Sequence, residues 1–372
     1  MIGFFNQSKR SDEDFLTRKI EEIVLEKVRN GFDPARVDEL LDRAVPELIE
    51  KLASKLAVEL MKDKRFLRAS SKGDRDFDRR LRKRWKRALD LYSVTQMACS
   101  ELGEKASSKR RVNITPAHEY ALEALTRLHA SACRVAGEVL TLLAHGHPRG
   151  ALARCRTLHE TAVIACVISD SIVDPDNNDL AERFLNHEVI GLRRDALQFQ
   201  KDHVALGEEP LEQVYLDEIE ARYNEVLDKY GASFKREYGW AKKFCPDDNL
   251  RALEEKASLE HARPHYQWAS SEVHCGARGL GHNFVEYRGM IVREAGKINT
   301  GLVDPAGMAL NSLLQVTFSL TVGGDPSAAS VESVLCMRAV DEIRSACIDA
   351  FRSVQGEIDR DEKKILNRMR ES

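Results

Sequence analysis

Four of the chain's eleven histidines fall between His261 and His282, in the stretch HARPHYQWASSEVHCGARGLGH. Imidazole nitrogens titrate near neutral pH, so clustered histidines can carry protons, bind a metal or grip phosphate. Tyr266, Ser270 and His274 follow one another at steps of four, the spacing that aligns side chains on one helix face. Glu272 lies two positions before His274, and Arg278 and Arg288 follow it with positive charge. Glycines 276, 279 and 281 should end the helix, leaving His274 at a C-terminus where the dipole favours its cationic form. That placement suits phosphate binding or general-acid work. The plainer alternative is a buried histidine capping a helix end. His261 and His265 are also four apart, but Pro264 between them is expected to end a regular helix. No acidic or cysteine ligand is clearly placed to complete a tetrahedral set with them, so neither a metal nor another cofactor is expected.

Two further groups carry chemistry. In RGALARCRTLHETAVIACVISD, Arg156 and Glu160 stand at i,i+4 and can pair on one helix side, while Leu152, Cys155, Leu158, Ala162, Val163, Cys166 and Val167 form an apolar face. The pair reads either as a structural ion pair or as the wall of a polar pocket. Between Lys62 and Arg87 lie thirteen Lys or Arg against four acids. The densest part holds Arg79, Arg80, Arg82, Lys83, Arg84, Lys86 and Arg87, with Trp85 among them. Like charges at this density repel on a helix unless something offsets them. A nucleic acid would do so, with Trp85 stacked on a base. So would the acidic arm of Glu21, Glu22, Glu26, Asp38, Glu39 and Asp42.

The elements that must position these groups are legible from their ends. Asp33-Pro34, Thr115-Pro116, Pro148, Asp304-Pro305 and Asp325-Pro326 predict helix starts. The first of these helices should pass Pro46 with a kink or break, and the last should run close to the C-terminus. Gly207, Gly231 and Gly323-Gly324 predict helix ends. Helices are therefore expected near 178–206 and 210–230, with a shorter one after Pro246. No convincing alternating run of β-branched residues stands out, so the fold class reads as all-α, a helical bundle. Residues 1–110 read as a charged helical arm and 111–372 as the core bundle, with the break in the polar stretch Lys105–Asn113. A Leu/Val/Ile stripe from Leu40 to Leu60 should pack on another helix, of the same chain or of a second copy, which makes a homodimer an expectation. MIGFFNQSKRSDEDF turns polar after five residues, which does not fit a signal peptide. Eight scattered cysteines without a CxxC fit a reducing compartment. A cytoplasmic protein is expected.

The combination of R-x-L-x-E-T (Arg156, Leu158, Glu160, Thr161) with Y-x-x-x-S-x-x-x-H (Tyr266, Ser270, His274) resembles a bacterial family known as domain of unknown function number 5677, over roughly residues 115–350. The resemblance implies an all-helical bundle. Some members look like HEPN ribonucleases of toxin and phage-defence systems, which cleave RNA without metal through an Arg and a His four to six residues apart on one helix. Here the nearest arginine before His274 is Arg263, and Arg278 follows in the reverse order. The first functional expectation is a metal-independent endoribonuclease. His274 would be its acid or base, Arg156, Arg278 or Arg263 would stabilise phosphorane charge, and Glu272, Glu160, Tyr266 and Ser270 would complete the site. The second is a non-enzymatic helical scaffold in a bacterial defence or regulatory complex, binding nucleic acid or protein through 62–87.

Overall fold

The computed structural model describes residues 21–371 except 23, 32, 34–36, 113–117, 275, 282–283, 288–289, 294 and 324–328. Its longer elements are helices: α1 (Val37–Lys62), α2 (Lys64–Val112), α3 (Glu119–Ala144), α4 (Pro148–Ser171), α5 (Leu180–Asn186), α6 (Glu188–Leu206), α7 (Gln213–Tyr230), α8 (Leu250–Lys256), α9 (Arg263–Ser271), α10 (Ala277–Gly281), α11 (Val303–Val322) and α12 (Val331–Glu371). The fold is an all-α bundle, as the periodicity predicts. One departure is a short antiparallel ribbon, Phe284–Tyr287 (β1) against Met290–Arg293 (β2), in register Phe284↔Arg293. Runs of four residues are too short for alternation to show.

The chain forms two compact units, Met1–Arg79 and Arg80–Ser372. The boundary between the units thus lies within α2, and the stretch Lys105–Asn113, where the break is expected, is helical as far as Val112. The reason is the face of α2 formed by Leu81, Trp85, Ala88, Tyr92, Thr95 and Cys99. All are buried, so this half of the helix is core rather than arm. In the first unit α1 passes through Pro46 without ending, and Ile49, Leu56 and Val58 of the expected stripe are exposed.

The second unit is built around α4, which packs against both α3 and α11. Leu125, Val135, Val139 and Leu143 of α3 meet Leu152, Cys155, Leu158 and Ala162 of α4 and Leu310, Leu313, Val316 and Leu320 of α11, all buried. Burying a Leu or Val side chain stabilises by roughly 1.5–3 kcal/mol, so this seam fixes α4 firmly. Helix α2 joins through Tyr92, whose hydroxyl donates to the Ala136 carbonyl, and α12 through Phe351, whose ring lies 5.5 Å from Trp85. Gly103 lets α2 lie against the buried His129 ring; a Cβ there would collide with it. Pro148 opens α4, and left-handed Gly207 and Gly323 close α6 and α11. The helix expected over 178–206 is interrupted at His187, giving α5 and α6. The Thr115-Pro116 and Asp325-Pro326 starts lie outside the described residues. No helix among the described residues is long and apolar enough to cross a membrane.

Candidate functional site

Helix α9 packs across α4, and this crossing joins the two sequence motifs. A single 3-10 turn, Glu260–Ala262, feeds α9, and Pro264 sits in its first turn. Pro264 therefore starts the helix instead of ending one. Proline's fixed φ suits that position, and its missing N–H is not needed there. Tyr266 and Ser270 lie on α9 and His274 just past it, where Gly279 is required. A Cβ at 279 would collide with the Ser271 carbonyl oxygen.

Four of the expected residues converge. Arg156 Nε donates to Glu160 Oε1 at 3.1 Å, Tyr266 Oη donates to the same oxygen at 2.8 Å, and Arg156 Nη1 lies 2.9 Å from His274 Nε2. A guanidinium has no acceptor, so in this contact Nε2 accepts and the ring proton sits on Nδ1. The cationic histidine expected from the helix dipole is thus not the form that fits. Arg156 and Glu160 keep 27% and 30% of their side chains exposed, and His274 is exposed, so solvent reaches the cluster. Burial opposes the charge of Arg156, but the Glu160 hydrogen bond and charge outweigh it and raise its pKa. Burial, and then the Glu160 hydrogen bond and charge, push the Tyr266 phenol up. Tyr238 is pushed up as well, by burial and then by the charge of Glu160.

Other expected members do not join. Glu272 accepts from Arg149 at 3.0 Å. The Ser270 hydroxyl is buried without a hydrogen-bond partner among the described residues. The side chain of Arg278, and Arg288 altogether, lie outside the described residues. Arg263 donates to Glu254 at 2.7 Å.

That last contact opens a second network the sequence did not disclose. Glu254 is fully buried, and its carboxylate accepts from Arg263 and, at 2.8 Å, from His159 Nε2. The His159 ring lies 5.4 Å from that of Tyr266, so the networks abut. Arg154 and His159 stand four intervening residues apart on one helix, the HEPN spacing. Their side chains part, however, Arg154 going to Glu138 at 2.7 Å and His159 to Glu254. On the far side of His159 a cavity of about 270 Å³ opens between α9, α11 and α12, with His261 and His265 on its wall. Among the described residues, no group of three or more His, Cys, Asp or Glu could hold a metal ion.

The basic tract is different from its expected form. Trp85 is fully buried and donates through Nε1 to Asn299 at 2.8 Å, so it cannot stack on a base. Burial of the Leu81–Trp85–Ala88 face turns Arg79, Arg80, Arg82, Lys83, Lys86 and Arg87 to solvent. Acids near at hand relieve part of the repulsion: Asp76 pairs with Arg79, Asp90 with Lys86, and Asp361 of α12 with Arg84 at 2.7 Å.

Residues 122–290 match the model of a family of unknown function, DUF5677. That is the family the motifs resemble, and the matched stretch contains Arg156, Glu160, Tyr266 and His274. No curated protein and no solved structure matches the chain.

Proposed function

We propose that, in the region matched by DUF5677, the Arg156–Glu160–Tyr266–His274 cluster is the working site of a metal-independent endoribonuclease. The observation that supports it is the meeting of Arg156 and His274, 118 positions apart, at a place solvent reaches. Glu160 holds the guanidinium by Nε, and Tyr266 holds Glu160. Nη1 is then the end that can turn to a phosphate. When it does, His274 Nε2 is released and can take the proton of a ribose 2′-hydroxyl. The 2′-oxygen attacks phosphorus, Arg156 offsets the charge that builds on the phosphoryl oxygens, and the 5′-oxygen leaves with a proton from water. The products are a 2′,3′-cyclic phosphate and a 5′-hydroxyl. In such a role the chain would serve a bacterial toxin or phage-defence system in the cytoplasm, with the exposed α1 stripe as the face where two copies meet. The wild-type protein is expected to cut single-stranded RNA in the presence of a chelator, and His274→Ala to lose about 10²-fold or more. Equal cutting by both proteins, or none by the wild type, removes this reading.

A second reading is favoured by one feature of α2. Arg80, Arg82, Lys83 and Arg87 are exposed and form no ion pair among the described residues. A non-enzymatic protein could hold a nucleic acid there. Its affinity should then fall steeply with salt, and a flat salt dependence would exclude it.

A further inference from the structure

The cavity beside His159 has a floor, two kinds of wall and a rim, and the proposed cleavage reaction uses none of them. The floor is His159 and Ser312, both buried. Glu254 takes His159 Nε2. Met308 and Ile348 supply apolar surface. Asn311 and Gln315 supply amides, and Arg344 Nη1 already donates to Asn311 Oδ1 at 2.8 Å, so the Asn311 N–H groups are the part left for a ligand. The rim carries His261, His265 and Arg352 and, beside them, the carboxylate of Asp304, all exposed, and Arg352 lies 3.6 Å from the carboxylate of Asp349.

Gly307 borders the open volume. It lies within α11 on the cavity wall, where glycine costs about 1 kcal/mol relative to alanine. Gly103 faces His129 and Gly279 faces the Ser271 carbonyl, whereas Gly73 and Gly191, inside other helices, face open space. At Gly307 a Cβ would meet nothing within 4 Å. No protein atom requires the missing side chain, and what its absence preserves is open volume.

We propose that this cavity binds a single nucleotide. Its base would lie against Met308 and Ile348 with its edge on the amides of Asn311 and Gln315, and its phosphate would meet His261, His265 and Arg352. A heterocycle needs flat apolar contact together with a mixed donor and acceptor edge, which Met308, Ile348, Asn311 and Gln315 supply; Arg352 and the two histidines are donors for a phosphate, and the Asp304 carboxylate can accept from a ribose hydroxyl. The volume lies just below the ~300–1,000 Å³ usual for ligand pockets, which fits one nucleotide and excludes a longer stretch of chain. This site stands whether or not the His274 cluster cleaves RNA.

The test is calorimetric titration of the full chain with the four nucleoside 5′-monophosphates and with a 2′-O-methyl RNA hexamer, which 2′-hydroxyl attack cannot cut. At least one monophosphate is expected to bind. Gly307→Leu, which fills the space and favours the helix, should abolish that binding, and His265→Ala should weaken it about tenfold. Displacement of the hexamer by the monophosphate identifies the occupant as a nucleotide of an RNA strand; binding of the monophosphate alone identifies a free nucleotide. Absence of binding by all four monophosphates overturns the proposal, and so does binding that Gly307→Leu leaves unchanged.

Discussion

The Arg263–Glu254–His159 network makes a quantitative demand on stability. Glu254 has no exposed side-chain surface, and Arg263 keeps 32% of its own. In Arg263→Met the stem still packs, but the buried carboxylate keeps only His159. Breaking a buried pair in this way costs roughly 3–5 kcal/mol. The guanidinium was already a third in water and loses less, so about 3 kcal/mol is the working figure. In Glu254→Leu the arginine can turn to solvent, and the His159 N–H is left buried and unpaired, at about 1–3 kcal/mol. The double variant has that same orphan and no buried charge, so it should be no worse than Glu254→Leu. The two changes are then non-additive by about 2–3 kcal/mol, at the upper end of the range for contacting residues. Contact of Arg263 with the Tyr266 ring, 5.5 Å from centroid to guanidinium carbon, adds to the single substitution, and where Arg263 leaves the ring in Glu254→Leu its loss enlarges the non-additivity. Urea unfolding followed by far-ultraviolet circular dichroism gives the midpoints at constant slope. Additivity within about 0.5 kcal/mol would refute the buried network as the source of the effect.

Two other outcomes follow from the packing of α2 on α3. Gly103→Ala drives a methyl into the His129 ring and should destabilise by about 1–3 kcal/mol in the same assay; an unchanged midpoint would contradict the close approach. Burial holds the His129 pKa below its ordinary value, so as pH falls through about 6.5 the unfolded chain takes the proton first and stability declines until the folded imidazole also titrates. Midpoints measured across that window should decline less in His129→Leu, with the remainder due to His187, which burial also holds low; an unaltered profile would show that His129 does not contribute.

What could be read in advance was what depends on local chemistry. Pro148, Gly207, Gly231 and Gly323 mark helix limits because φ and the missing N–H act on the residue itself, and all lie at or next to ends in the structure. Arg156 and Glu160 could be paired from spacing alone. The link to His274 was suggested by motif resemblance and not by any local rule. Glu254 was invisible: in a short helix beside Glu255, a buried glutamate has the same letters around it as an exposed one, and its partner His159 is 95 positions away. Trp85 misled because its neighbours are cationic. The spacing 81, 85, 88, 92 within that same tract was the better guide, since burial follows the face and not the local charge. Pro264 misled because a proline both ends one helix and begins the next, and only the preceding turn decides which.

Along α4 the residues at 155, 156, 159 and 160 serve the core seam, the cluster, the cavity and the cluster again. Successive positions on an α-helix are rotated by about 100°. A deletion or insertion of one residue inside α4, between Pro148 and Cys155, would therefore rotate every one of these side chains together relative to the start of the helix. A change of length inside this rod thus disturbs all three compartments at once, whereas a single replacement disturbs one.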